Sequence, residues 1–302
     1  MASFIRLFSS RSTVVRLFIL FPLFAFGAAQ AVAQDQQVPP PPPPPPPAAG
    51  QVTPEPPVAG PAMTDRQLDD MVSRIALYPD PLLAQVLTAS TYWAQIPEAA
   101  SWADMHNDLK GEALANAIRE DNLQWDASVM ALLPFPSVLD MMARDPNWTE
   151  QLGNAVLVRR AEVMDAVQRR RREAQQYGYL RPSAYNNVVD SGGYVEIQPV
   201  NPAYVYVPYY DPAVVYAPPA PGFYVGGAIG WGPAVVIGAG FYPFGWAHPY
   251  FGWGAHAIYF DHVPWGRTWV NRGYYVHPYE HRWVAHAGPR VEVHGHVAHR
   301  RP

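Results

Sequence analysis

Thr64-Asp-Arg-Gln-Leu-Asp-Asp-Met-Val-Ser-Arg-Ile-Ala-Leu-Tyr-Pro-Asp-Pro-Leu-Leu-Ala-Gln-Val-Leu87 reads as two helices divided by a proline pair. Thr64 with Gln67 forms a capping box, in which the hydroxyl covers the amide of the third helical residue and the amide side chain reaches back. Leu68, Met71, Val72, Ile75 and Ala76 then recur at the spacing of one helical face. Tyr78-Pro79 stops that helix. Asp80 before Pro81 restarts it as an N-cap ahead of a proline at the first helical position, and Leu82, Leu83, Val86 and Leu87 supply the next buried stripe.

Short helical patterns continue around Trp102, Leu114–Ile118, Val129–Leu133 and Val138–Met142. Asn147 with Glu150 opens the last and longest helix, which runs to about Gln176 and closes at Gly178. The spacing therefore predicts about seven helices and one all-α domain over residues 64–180. Past Gly178 the period changes to that of strands. Val188-Val189, the turn Asp190–Gly193 and Tyr194–Ile197 form a hairpin pattern. Asn201–Pro208 then recurs as Asp211–Pro218, each copy a Val/Tyr run fenced by prolines, so both are expected as short edge strands of a β arm over 181–219.

Upstream, the chain carries the layout of an export signal over residues 1–33. Arg6, Arg11 and Arg16 precede the apolar run Leu17–Gly27, and Ala31-Val32-Ala33 precedes an expected cleavage at Gln34. The apolar run is shorter than the roughly 20 residues that cross a bilayer. Residues 34–63 read as a Pro-rich linker. Its unbroken run Pro39–Pro47 has fixed φ and no amide donors, giving a stiff spacer of about 28 Å or a ligand for an aromatic-lined groove. The chain has no Cys, which excludes disulfides and lipidation of the new N-terminus. Its net charge of −4 becomes −7 once residues 1–33, with three Arg and no acid, are removed, so no nucleic-acid partner is expected.

Residues 220–302 read as a Gly/aromatic/His-rich, low-complexity tail. Phe223–Ala247 is uncharged but broken by Pro233 and Pro243, which favours association with a surface over insertion into a membrane. Trp231, Trp246, Trp253, Trp265, Trp269 and Trp283 suit stacking on sugars or a membrane interface. Nine of the ten His lie at or beyond His248, and His277, His281, His294, His296 and His299 form the candidate metal set, with Zn, Cu or Ni as the fitting ions. A biased composition alone would also produce it, because no flanking acid or Cys closes the site. Arg169, Arg170, Arg171 and Arg172 are the candidate anion-binding residues, since guanidinium pairs bidentately with phosphate. As a helix end, the same run complements the helix dipole.

Several stretches together resemble one family. These are Ile75–Tyr92, Trp125-Asp126 with Ser128-Val129, Phe135–Leu139, Trp148–Gly153, Val163–Arg169, and the proline-fenced region Ile197–Tyr216. They resemble a bacterial envelope family catalogued as domain of unknown function 3300, over about Thr64–Tyr216. The resemblance implies an exported protein with a helical domain and a short β arm, and it brings no catalytic residue. The fold class expected is mainly α: a compact multi-helix domain, then a short β arm, then the low-complexity tail.

Asp80, Asp126 and Glu150 stand where helix caps are needed, and the helical region holds one His, His106. Neither supplies a nucleophile beside a base. The functional expectation is a periplasmic or secreted, non-enzymatic scaffold or interaction protein. Its partners would be cell-envelope components: membrane surface, cell wall or envelope proteins. The alternatives are a periplasmic metal-binding or buffering protein acting through the His-rich tail, and an envelope hydrolase.

Overall fold

A computed structural model describes residues 63–222, 226–277 and 279. The export-signal region 1–33, the linker up to residue 62 and the stretch 280–302 lie outside the described residues. Seven α-helices fill the first half: α1 (Asp65–Val72), α2 (Asp80–Ser90), α3 (Ile96–Met105), α4 (Gly111–Glu120), α5 (Ala127–Met130), α6 (Pro136–Arg144) and α7 (Pro146–Gln176). The Thr64–Gln67 capping box opens α1. Helix α2 is buried on every side, from Leu82 and Leu83 to Val86, Leu87 and Ala89. A helix that is apolar all round belongs at the centre of a domain. It contacts α5 and α7 on its helical flanks, while α1 lies along α7 and α3 along α6.

Helix α7 differs from the single long helix expected. Arg159 leaves helical geometry at φ −137° and ψ 42°, which divides α7 into two rods. In the turn before the break, the Leu157 carbonyl accepts from the Trp269 amide. Just after it, Arg160 stacks on the Trp265 ring at 4.3 Å and donates to the Trp265 carbonyl at 3.1 Å. The interruption is thus where a distant segment docks, as helix kinks generally have such a local cause. The helix also starts earlier than expected, with Asp145 capping the Trp148 amide.

Strands β1 (Asn186–Ser191) and β2 (Tyr194–Pro199) form an antiparallel hairpin in which Ser191 faces Tyr194. Gly192 and Gly193 alone make its loop, at φ +61° and +85°, the pair of left-handed conformations that a two-residue turn demands. The duplicated segments part company. The first becomes β3 (Tyr204–Tyr210), irregular between Tyr206 and Pro208, while the second becomes the single-turn α8 (Pro212–Val215) in place of the strand expected. Both copies begin with the same turn: Asn201 accepts from Ala203, and Asp211 from Ala213. Val215 of the second copy is buried, as its counterpart Val205 is in the first.

The expected fold class requires correction. Beyond residue 219 the chain builds β4 (Ile229–Val236), which pairs antiparallel with β3, and the meander β5 (Pro249–Gly252), β6 (Ala257–Phe260) and β7 (Val263–Pro264). With β1–β2, these make three small antiparallel sheets, so the described part is an α-plus-β fold. The segment is no low-complexity tail up to residue 279. Phe241, Phe244, Trp246, Phe251, Trp253, Phe260 and Trp265 are buried in the same core as the helices. Trp246 stacks on Phe135 at 5.4 Å and donates from its indole to the Ala131 carbonyl at 2.9 Å. The physical reason is that β4 is broken up by Gly230, Gly232 and Pro233, and the short strands β5 to β7 and the 3₁₀ turns show no sustained period, while each large ring buries enough area to anchor its segment singly. Within the uncharged stretch, residues 226–247 form β4 and a 3₁₀ segment. No helix among the described residues is long and apolar enough to cross a membrane.

Gly153 marks the tightest helix crossing. A Cβ there would overlap the Ser90 carbonyl at the end of α2. Gly153→Ala must therefore separate α2 from α7. Urea unfolding is expected to show a loss of about 1–3 kcal/mol with an unchanged slope.

Candidate functional site

A cleft of about 670 Å³ opens between the helical half and the β3–β4 pair. That volume is in the range of small-molecule sites. Its walls come from five separated segments: Arg74 and Tyr78 between α1 and α2, Leu109 and Lys110 before α4, Leu133–Ser137 at the start of α6, and Val207–Tyr210 facing Gly232–Val236. The wall is mostly apolar. Tyr210 donates to the Ser73 carbonyl at 2.9 Å and accepts from the Leu77 amide. Burial pushes the hydroxyls of Tyr78 and Tyr210 above the usual tyrosine range, so both stay neutral. Among the described lining residues none carries a carboxylate, and the basic ones are Arg74, His106 and Lys110.

Two buried polar centres lie elsewhere in the fold. In the first, Arg171 and Asp80 are 0% and 1% exposed and meet at 2.6 Å. Arg171 also donates to the carbonyls of Ala76 at 2.8 Å, Tyr78 at 3.0 Å and Val195 at 2.8 Å. Asp80 accepts further bonds from the Ile197 amide, the Gln198 side chain and the Trp253 indole. Burial pushes the Asp80 carboxyl upward, against the pull of Arg171. The capping role expected for Asp80 is not the one it plays: Pro79 occupies the cap and no side chain closes that end.

In the second centre, Asp126 does cap α5 through the Ser128 amide, and it also holds His277 at 2.9 Å. His277 is fully buried among the rings of Tyr92, Tyr275 and Tyr279. Burial alone would raise the Asp126 carboxyl. Bonds from His277, Ser128 and Tyr92, with the His277 charge, outweigh burial and hold it below the usual carboxylate range.

The five histidines of the candidate metal set are not brought together in the described residues. His277 is turned inward to Asp126, and His281, His294, His296 and His299 lie outside the described residues. Among the described residues no group of three His, Asp or Glu is placed to hold a metal ion. The arginine run is spread around its helix, as four successive residues must be. Arg169 pairs with Asp69 at 2.8 Å, Arg170 with Asp70 and Glu173, Arg171 with Asp80, and exposed Arg172 reaches the Gly193 carbonyl. Sequence reasoning did not find the cleft. The only local signal was the density of Pro and Tyr in 207–212, which the repeat explained equally well.

Residues 64–286 match the family described as "Protein of unknown function (DUF3300)". The match thus includes the aromatic segment past Pro219, which the sequence resemblance had left outside. The uncharacterized protein YacH of Escherichia coli (strain K12) is 34% identical over 193 residues, 53% of this chain. The chain spans about a third of that relative's length, 31%. No solved structure matches the chain.

Asp126 generates a pH prediction. Its lowered carboxyl contributes stability that is present above about pH 4, the unfolded value, and lost as pH falls through the lower folded value. Asp126→Asn is expected to cost about 1–3 kcal/mol at pH 7 and to flatten the acid limb of a stability–pH curve from urea unfolding. An unchanged acid limb would contradict the assignment.

Proposed function

The chain belongs to this family of unknown function, and from that premise we propose that it is an exported envelope protein. Its folded part is a non-enzymatic interaction module, and the cleft between the helical half and β3–β4 is its contact site. The Arg6–Gly27 layout with Ala31-Val32-Ala33 supports export, and the proline run Pro39–Pro47 supports a stalk that holds the module away from its N-terminus. Its partners would be a membrane surface, the cell wall or other envelope proteins.

The observation that carries the binding reading is the cleft itself: about 670 Å³, with mostly apolar walls and neutral tyrosines. The two buried polar centres support a module over an enzyme. Asp80–Arg171 and Asp126–His277 are each enclosed within the fold, joining elements that are far apart in sequence.

The test is made on the full chain expressed in a bacterium. Mass spectrometry of the extracytoplasmic fraction is expected to find a protein starting at Gln34. A photoreactive side chain replacing Tyr209, which is 65% exposed at the cleft mouth, should form discrete envelope adducts, and Ala234→Trp should abolish them. A chain retained in the cytoplasm, or adducts indifferent to Ala234→Trp, would overturn the reading.

A further inference from the structure

Resting on the cleft as a contact site, we infer that its occupant is a single-chain anionic amphiphile, with the apolar chain inside and the carboxylate at Lys110. Leu109, Leu133, Phe135, Met141, Val207 and Val235 offer an apolar bed, and transfer of a hydrocarbon chain from water onto such a bed is favourable for every methylene buried. An apolar bed alone selects no headgroup. The charges at the rim do.

The basic side chains of the described lining are Arg74, His106 and Lys110, and no carboxylate stands among them. Arg74 is committed to Asp145 at 2.9 Å and stacks over Trp148. His106 stacks on Trp102 at 3.9 Å and faces Asp121 at 3.9 Å. Lys110 is different: it is exposed and makes no hydrogen bond or ion pair among the described residues. Two acids lie two residues away in sequence: Glu112 is taken by Arg119 at 2.9 Å, and exposed Asp108, outside the cleft lining, makes no ion pair with Lys110. Lys110 also occupies the N-cap of α4, whose first-turn amides receive no side-chain cap. The helix dipole there adds to the ammonium in favouring a negative group.

The hydrophobic wall and the unpaired cation thus stand side by side at one mouth, the arrangement that a fatty carboxylate complements. A neutral amphiphile leaves Lys110 unused, and a cationic one is repelled by it. A phospholipid would bring a second chain and a phosphate, whereas a single-chain carboxylate needs one apolar bed and one cation.

Calorimetric titration of the purified mature protein with laurate, its methyl ester and dodecyltrimethylammonium, below their micellar concentrations, tests this. Laurate is expected to bind saturably at one site and more tightly than the other two. Lys110→Glu should weaken laurate about five- to tenfold and erase its advantage over the ester. Ala234→Trp, at an exposed position of β4 on the cleft wall, should block laurate and ester alike, with thermal melts verifying that both variants fold. Equal binding of all three probes, or laurate binding indifferent to either substitution, would overturn the inference. If laurate fails while the Tyr209 adducts persist and respond to Ala234→Trp, the amphiphile falls and the interaction module stands. If neither laurate nor the adducts respond to Ala234→Trp, both fall.

Discussion

The buried pair Asp80–Arg171 is the constraint on which the rest of the fold depends. Taking two charges out of water carries an effective penalty of several kcal/mol per ion, recovered only when the remaining donors and acceptors are satisfied. Here they are satisfied by separate parts of the chain. The turn between α1 and α2 supplies the Ala76 and Tyr78 carbonyls, the hairpin supplies Val195, Ile197 and Gln198, and the aromatic segment supplies the Trp253 indole. Each segment must be in register for the others to be paid back. Arg171 also lies under the Trp253 ring at 5.0 Å. The helical half, the first hairpin and the aromatic segment are therefore one cooperative body around a single ion pair.

That arrangement explains why the aromatic segment is ordered without long elements of its own. Its rings enter the helical core one at a time, and its polar atoms find partners there: Trp246 on Ala131, Trp253 on Asp80, and Arg267 on Thr91 beneath a stacked Tyr92. The same segment supplies β4, and β4 with β3 forms one wall of the cleft. The site thus exists only because residues past Pro219 fold back. A helical unit alone would lack that wall.

The helical half was legible because its signals are local. Thr64 with Gln67, the Pro79-Asp80-Pro81 restart and the glycine pair in the first hairpin act over three or four residues and appear where the spacing placed them. The interruption at Arg159 was not legible, since it is fixed by Trp265 and Trp269 more than a hundred positions away. Asp80 shows the same limit: a residue suited to a cap was drawn instead into a buried pair by Arg171, ninety-one residues on. The second repeat copy differs from the first although Val215 and its counterpart Val205 are both buried; only the first meets a partner strand, β4, which lies further along the chain. The cleft has walls from five segments and no motif of its own, so no reading of spacing could assemble it.

The central claim is that Asp80 and Arg171 act as a unit holding these segments together. A double-mutant cycle with Asp80→Asn, Arg171→Met and the pair, read by urea unfolding, tests it most directly. Each single substitution is predicted to lose about 3–5 kcal/mol by stranding a buried partner, and the double to lose about 2 kcal/mol less than their sum. Additive losses, or singles below about 1 kcal/mol, would contradict the account.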